Sequence, residues 1–330
     1  ISGSRSVYEE TLSAAQRDFD GNVLEEEGVY QVLILSVGSF NEEPVHILSE
    51  ASETVEMEIK AETSTLVSDL QANDALSLDA DGNIYISNYG SGNGTTALKI
   101  TPSGQVSEFV TGLSRPVGNA IDEAGNFYVN DDNNFVSGNL LKITTDGTKT
   151  TIATIQGYPA GLLLGTDSNF YVSNYSRGVV SKVTPDGMVT EFASDPRLAG
   201  GVGITYGDGG NIIVGNLITG DVLSVDTNGV VSVIARVPTT VEGSVIGYIT
   251  FFEGNVYATG GGARKIYKIS LAGEVTEFAG DGVNRSVNGE LKSASFSGPN
   301  GIVVDKVRRV LYVSDAVSNG RSALRVIPLD

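Results

Sequence analysis

A seven-residue segment that returns at a nearly fixed spacing constrains the fold of this chain more than any other feature. It reads Gly-Asn-Ile-Tyr-Ile-Ser-Asn at residues 82–88, and successive copies follow at steps of 42 to 44 residues. The copies begin at Gly125, Ser168, Gly210 and Gly254, and a more divergent copy follows after a longer step at Arg309. Self-similarity at this period is typical of repeat architectures, so the sequence predicts an array of similar units.

Each repeat contains four short apolar segments separated by turn residues. In the second repeat, a strand after Pro116 leads through the pair Gly125-Asn126 into a second strand. A third strand at 140–143 runs into the turn at Asp146-Gly147, and a fourth follows at 150–153. Gly and Asn tolerate the positive φ that tight hairpins require. Four antiparallel strands in about 43 residues are typical of one blade of a β-propeller.

The two ends of the array complement each other. The sixth repeat has three strands and then reaches Asp330 without a fourth, while residues 66–74 align without a gap to residues 109–117, which contain the fourth strand of another blade. Pairing this front strand with the last blade closes the ring and removes exposed sheet edges. The sequence therefore predicts an all-β, six-bladed propeller over residues 63–330, closed by an N-terminal strand.

Residues 1–62 are predicted to form a separate acidic, β-rich extension. Residues 1–63 carry 14 acids and 3 bases, against 26 acids and 18 bases in the remainder. Strand-like alternation occurs at 29–37, 44–48 and 55–59, whereas residues 7–15 fit either a short helix or an extended arm. About 60 residues make a marginal core by themselves. We expect this extension to dock on its own propeller or on a neighbouring copy.

Charge and composition exclude several classes of partner and chemistry. The formal net charge of −19 repels nucleic acid and anionic membranes, and no apolar run is long enough to span a bilayer. The chain has no Cys, which excludes disulfides and thiolate chemistry. It begins with Ile instead of Met, as in a chain that has lost a signal peptide, although a chain shortened by other means looks the same. We expect a secreted or periplasmic location.

The blades resemble the NHL repeat, and the resemblance covers roughly residues 64–330. Its most specific part is Phe-Ala-Gly-Asp-Gly at 278–282, followed after a loop by the segment 294–305, which is similar to a longer inter-blade signature of that family. The broader group that this resemblance implies contains gluconolactonase-like hydrolases, streptogramin lyases and non-catalytic binding propellers. Because these functions differ, the fold by itself does not determine the activity.

The resemblance to gluconolactonases implies a divalent cation, such as calcium, held at the channel mouth by carboxylate and amide side chains. The equivalent turn positions here are Asp74, Val117, Ala160, Val202, Ile246 and Asn300. Only Asp74 and Asn300 offer oxygen ligands, with Asn119 two residues farther along its strand. Two such side chains bind a cation weakly, and four apolar positions favour a plugged channel. Polar turn residues without a metal are the favoured interpretation.

The lone histidine argues against two catalytic mechanisms. Streptogramin lyases depend on a catalytic His within the propeller, but the single His of this chain is His46, in the acidic extension. A Ser-His-Asp triad meets the same difficulty, because its base must lie beside the nucleophile. We expect His46 to be a surface residue of a strand.

Four tyrosines in or near the inter-blade loops are candidate binding residues: Tyr89, Tyr158, Tyr175 and Tyr248. Such rings stack on sugars or on the side chains of a protein partner. The leading hypothesis is a non-catalytic binding or assembly module whose partner is a protein, a carbohydrate or a further copy of the chain. One alternative is a metal-dependent lactone or ester hydrolase that uses Asp74, Asn119 and Asn300. The other is a structural filament subunit linked through residues 1–63.

Overall fold

The computed structural model describes residues 61–131, 134–238, 245–318 and 321–329, and the backbone of four short strands within the first 60 residues. The chain divides into two compact units, Ile1–Ala61 with Asp330 and Glu62–Leu329. The larger unit is a six-bladed, all-β propeller, which confirms the predicted fold class. Its only helical elements in the described residues are two single 3₁₀ turns, Pro196–Leu198 and Asp208–Gly210.

Each blade is an antiparallel sheet whose strands we label a to d, from the channel outward. Blade one has Leu76–Leu78, Ile84–Ser87, Ala97–Ile100 and Val106–Val110. Blade two has Asn119–Ile121, Phe127–Asp131, Ser137–Ile143 and Lys149–Gln156. Blade three has Pro159–Leu164, Phe170–Asn174, Val179–Val183 and Val189–Ser194.

The remaining blades repeat this order. Blade four has Gly201–Tyr206, Ile212–Asn216, Asp221–Val225 and Val231–Arg236. Blade five has Ile249–Phe252, Asn255–Gly260, Lys265–Ser270 and Val275–Ala279. Blade six has Pro299–Asp305, Val310–Ser318 and Arg321–Pro328 as strands a to c.

The fourth strand of blade six comes from the front of the propeller unit. Glu62–Leu70 pairs antiparallel with Arg321–Pro328, with Val67 opposite Leu324. The two-residue strand Gly289–Glu290 then pairs with the outer edge of Glu62–Leu70. The ring is therefore closed by both ends of the propeller sequence, as predicted from the missing fourth strand of the last repeat.

The hydrophobic core lies between the blades. Strand b is buried along its whole length in Ile84–Ser87 and Phe127–Asp131, because each blade packs a face against each neighbour, while strand d of blade one is largely exposed. The rings of Tyr85, Phe109 and Phe127 meet between blades one and two at centroid distances of 4.9 to 5.9 Å. In the described part of the chain, six hydrophobic clusters of this kind each join two neighbouring blades and together complete the ring.

The repeated Gly-Asn-x-Tyr segment stabilises the hairpin that joins strands a and b. In blade two, Asp122 accepts hydrogen bonds from the backbone and side-chain nitrogens of Asn126, both at 2.8 Å, and from the hydroxyl of Tyr128 at 2.9 Å. Asp79 and Asp167 have the same type of partners in blades one and three. The repeated sequence thus reflects blade architecture.

Glycines after the turn positions allow the innermost strands to approach each other closely. A Cβ atom on Gly118, Gly161 or Gly301 would lie 2.1 to 2.2 Å from a carbonyl oxygen of the adjacent blade. That distance is far shorter than van der Waals contact. Only glycine fits at these positions, which explains why a Gly follows the turn residue in most blades.

The smaller unit contains two strand pairs. Val29–Gln31 pairs with Glu56–Glu58, and Ser36–Phe40 pairs with Glu43–Ile47, which contains His46 opposite Val37. The strand predicted over 29–37 therefore contains parts of two strands. The choice between helix and arm at 7–15 lies outside the described residues. Among the residues that are described, no helix has the length and apolar character needed to cross a bilayer.

Candidate functional site

The starts of the innermost strands surround a pocket of about 450 Å³. This volume falls in the range of about 300 to 1,000 Å³ that is typical of small-molecule sites. The lining comes from turns at the starts of strands a and from the loops between strands b and c. It consists of Asp74, Tyr89, Val117, Phe135, Tyr158, Ala160, Tyr175, Val202, Leu217, Tyr248 and Asn300.

Side-chain hydrogen bonds from the ends of strands b hold the pocket loops in place. In blade three, the side-chain oxygen of Asn174 accepts from the backbone nitrogens of Tyr158 and Ser176, at 3.1 and 3.2 Å. Its amide nitrogen donates to the carbonyl oxygen of Gln156 at 2.8 Å. Asn174 thereby ties its own loop to the turn before strand a, and the rings of Tyr158 and Tyr175 come to lie 5.9 Å apart.

An exposed phenylalanine extends this aromatic wall to the rim of the pocket. The ring of Phe135 lies 4.7 Å from that of Tyr158 and 6.5 Å from that of Tyr175. Phe135 is 61% exposed, and its φ of 68° lies in the left-handed region that bulky residues rarely occupy. A strained backbone conformation costs free energy and persists only where the surrounding structure holds it in place. Such conformations cluster at functional sites.

Asp74 supplies the pocket with its charge. Its Oδ1 accepts from the hydroxyl of Tyr248 at 2.5 Å and from the backbone nitrogen of Ala75 at 2.9 Å. Asp74 is only 7% exposed, and burial raises its pKa to about 6 even though both hydrogen bonds favour the charged form. Burial and the nearby carboxylate raise the pKa of Tyr248 well above its ordinary value. Within the described residues, Oδ2 of Asp74 accepts no hydrogen bond.

The structure brings six of the seven predicted site residues to this pocket: Asp74, Asn300, Tyr89, Tyr158, Tyr175 and Tyr248. Asn300 donates its amide to the carbonyl oxygen of Asn73 at 2.9 Å. The seventh residue, Asn119, is not part of the lining. Its amide nitrogen donates to the Ala75 carbonyl oxygen and the Ser87 hydroxyl at 2.8 and 2.7 Å, which joins blades one and two.

In blade five, the residue that lines the pocket is not the one that the sequence alignment predicted. Ile246 is fully buried in the core between blades four and five, and Tyr248 lines the pocket in its place. The reason is register: Ile249, not Tyr248, pairs with Ala258 on strand b, so Tyr248 lies ahead of the strand. One of the four apolar positions predicted to plug the channel is thus replaced by a tyrosine.

The donor set does not fit a divalent cation. Among the described lining residues, one carboxylate and one carboxamide carry the oxygen atoms that Ca²⁺ prefers, whereas Ca²⁺ takes about six to eight oxygen ligands. No group of three or more His, Asp or Glu side chains is arranged for a metal in the part of the chain that the structure describes. The expected metal site with Asp74, Asn119 and Asn300 therefore has no complete ligand set there.

Sequence reasoning missed Phe135 and Leu217. Both lie in loops between strands b and c, as do Tyr89 and Tyr175, and Leu217 directly follows the last residue of its strand b. The pairs Asn88-Tyr89, Asn174-Tyr175 and Asn216-Leu217 share this position, which is the signal that would have found Leu217. Phe135 lies farther along a loop of different length, so no repeat alignment identifies it.

Comparison with solved structures places the chain among six-bladed propellers. An auxiliary nutrient binding protein from Bacteroides ovatus aligns over 89% of this chain and 88% of its own, with 16% identity and a TM-score of 0.65. A gluconolactonase from Xanthomonas campestris aligns over 81% and 89%, with 12% identity and a TM-score of 0.61. Virginiamycin B lyase from Staphylococcus aureus aligns over 76% and 78%, with 20% identity and a TM-score of 0.55.

These similarities show a common fold and confirm the predicted structural likeness to gluconolactonase and streptogramin-lyase propellers. At such low identity they do not extend to activity. The sequence matches no family model and no curated protein.

Proposed function

We propose that this protein is a binding module whose propeller takes a small organic molecule in the aromatic pocket at the channel mouth. One observation carries the proposal: five aromatic side chains from four blades meet one carboxylate and one carboxamide around a single pocket. A largely apolar lining with a few polar groups is the usual composition of a small-molecule site. The rings provide stacking surfaces, and Asp74 and Asn300 provide acceptors that orient the ligand.

The structural neighbours are consistent with binding. Two of them are described as auxiliary nutrient binding proteins, from Bacteroides thetaiotaomicron and Bacteroides ovatus. A role in capturing a molecule from outside the cell would suit the secreted or periplasmic location that we propose. The acidic extension then serves as an accessory to the propeller.

The lactonase alternative is weaker because the described lining residues do not supply a complete metal ligand set. The acid–base group left in the lining is Asp74, whose pKa of about 6 suits proton transfer near neutral pH. Turnover of lactones or esters that is lost in Asp74→Asn would therefore favour a hydrolase and contradict the binding proposal.

Ligand screening with a matched pair of variants tests the binding function. The screen measures thermal shifts with a panel of sugars, lactones and small amines, followed by calorimetric titration of each hit. We expect at least one compound to stabilise the wild type and to bind Phe135→Gly at least tenfold more weakly, because the variant removes the outer ring of the pocket. The control is Val307→Ala, at a residue that is 92% exposed and does not line the pocket.

The Phe135→Gly variant separates binding from folding. Glycine adopts the left-handed conformation at this position without strain, and this gain offsets the loss of ring contacts. We expect its free energy of unfolding to stay within about 1 kcal/mol of the wild type. If no compound in the panel binds the wild type, the proposed function is wrong.

A further inference from the structure

Among the described residues, the buried carboxylate of Asp74 has no cationic partner. Two other buried aspartates in the described structure are paired with arginines: Asp315 with Arg325 at 3.2 Å, and Asp305 with Arg308 at 2.7 Å. Asp74 instead has a tyrosine hydroxyl and a backbone amide on Oδ1, and Oδ2 has no partner within the described residues. A buried charge is costly unless it is paired, so this site favours a ligand that brings a positive charge.

The aromatic faces of the pocket also carry no lysine or arginine from the described part of the chain. Elsewhere in the propeller, lysines cover tyrosine rings: Lys99 lies 5.3 Å from the Tyr85 ring centre and Lys182 lies 5.4 Å from that of Tyr171. No lysine or arginine of the described residues lies over any of the five pocket rings, and none belongs to the lining. Aromatic faces attract cations, most strongly where water is excluded.

The charge of the whole chain acts in the same direction. A formal net charge of −19 attracts cations over distances comparable to the Debye length. Arg115 is close enough to Tyr158 to influence the pKa of its hydroxyl, but Arg115 does not line the pocket. Among the described lining residues, Asp74 therefore carries the charge, and the other side chains of the pocket are neutral.

From these observations we infer that the ligand is an organic cation, a small alkylated amine. Its ammonium group pairs with Oδ2 of Asp74, and its alkyl carbons contact the rings of Tyr158, Tyr175 and Phe135. This inference rests on the proposed binding function and narrows it to one class of ligand. It predicts that charge, and not shape alone, controls affinity.

A pair of isosteric probes tests the role of charge. Choline and 3,3-dimethyl-1-butanol have nearly the same shape, but only choline carries a positive charge. We expect calorimetric titration at pH 7.5 to give saturable binding of choline and of tetramethylammonium at one site, with the neutral alcohol at least tenfold weaker. Glucose serves as the neutral hydrophilic probe, and we expect it to bind more weakly than choline.

Two matched variants assign the charge to one residue. Asp74→Asn keeps an acceptor for the Tyr248 hydroxyl, and we expect it to bind choline at least tenfold more weakly while its affinity for the neutral alcohol falls much less. Asp69→Asn removes the same charge from an exposed carboxylate that pairs with Arg321 at the propeller edge, and it should leave both affinities unchanged. Thermal unfolding of both variants verifies that they are folded.

The pH dependence of choline affinity provides a second test of the role of Asp74. Asp74 faces Tyr248 and Tyr158, whose hydroxyls remain protonated because burial raises their pKa; Tyr89 and Arg115 lie beside Tyr158. Among these groups around Asp74, it is the Asp74 carboxylate, with a pKa of about 6, that changes charge between pH 7.5 and pH 5. We expect choline affinity to fall about tenfold over this interval.

The outcomes separate the two proposals. If glucose or the neutral alcohol binds as tightly as choline, or if Asp74→Asn leaves choline affinity unchanged, the inferred cation specificity is wrong but the binding module stands. If sugars or lactones from the wider panel bind and neither cation does, the same conclusion holds. If no probe of any class binds the wild type, both proposals are wrong.

Discussion

The two carboxyl oxygens of Asp74 have different roles. Oδ1 is committed to Tyr248 and to the backbone of Ala75, so it fixes the side chain and anchors the polar end of the pocket. Oδ2 remains for a ligand. The arrangement costs stability, because the folded protein must keep a desolvated carboxylate with neutral partners. Local costs of this kind are expected where a residue serves binding instead of folding.

The pH dependence of stability measures this cost. The folded-state pKa of about 6 lies above the ordinary value of 3.8, so the folded protein binds the proton more tightly than the unfolded chain does. The contribution of Asp74 to stability therefore increases as the pH falls through 6 toward 4. Between pH 7.5 and 4.5 we expect the wild type to gain about 2 kcal/mol relative to Asp74→Asn in urea unfolding.

The comparison with Asp74→Asn removes the contribution of the other carboxylates, which titrate in both proteins. A difference in unfolding free energy that stays constant between pH 7.5 and 4.5 would show that Asp74 is not desolvated in the folded state. That result would also remove the main support for a cationic ligand.

At the scale of elements, the closure of blade six depends on Arg325. This side chain is fully buried on strand c, where it pairs with Asp315 at 3.2 Å and donates to the carbonyl oxygens of Ser295 and Val287 at 2.9 and 3.0 Å. Its guanidinium lies 5.0 Å from the ring centre of Phe296. The extra residues between blades five and six thus form the loop that covers Arg325, which explains the longer final repeat.

Replacement of Arg325 tests this closure. Arg325→Met leaves Asp315 buried without its partner, and we expect a loss of about 3 to 5 kcal/mol in the free energy of unfolding by urea. Arg321→Met is the matched control on the same strand, because Arg321 forms an exposed ion pair with Asp69 and its loss should reduce the free energy of unfolding far less. Equal losses in the two variants would argue against a special role for Arg325.

At the scale of the molecule, the propeller is a ring whose first and last strands are paired. Glu62–Leu70 covers the edge of Arg321–Pro328, which would otherwise present unpaired backbone groups to other chains. The compact unit Glu62–Leu329 contains all six blades and the closing strand. Residues 62–70 are therefore part of the ring itself, as its closing strand.

Two truncations test the role of the closing strand. We expect a chain that starts at Glu62 to unfold in one cooperative transition, whereas a chain that starts at Asn73 should lose stability and aggregate through the exposed edge. Thermal unfolding and light scattering measure both effects. If the chain that starts at Asn73 remains a stable monomer, closure by Glu62–Leu70 contributes little.

The same light-scattering series tests the filament alternative. If the protein is a binding module, the full chain and the chain that starts at Glu62 should both form small particles, whose size stays constant over a range of concentrations. Large assemblies formed by the full chain alone would instead indicate that residues 1–61 join copies of the protein, and would favour a structural subunit.

The amino-acid sequence by itself determined the architecture. The period of the repeat, the turn residues and the missing fourth strand all concern neighbours in sequence, because each blade is built from consecutive strands. Among strands a to d, strand d of the last blade is the exception, and residues 66–74 identified it by their similarity to residues 109–117. The turn positions and loop tyrosines also indicated which residues face the channel mouth.

Only the tertiary structure decided which of these residues form one site. Tyr248 and Asp74 are 174 positions apart in the chain, and they meet because the ring closes. Ile246 is excluded from the pocket by the register of one short strand. Asn119 joins two blades through its hydrogen bonds to blade one, and it does not line the pocket. Phe135 reaches the rim through a loop held in a strained conformation. Such contacts depend on loop paths and on distant partners, which a periodic pattern does not encode.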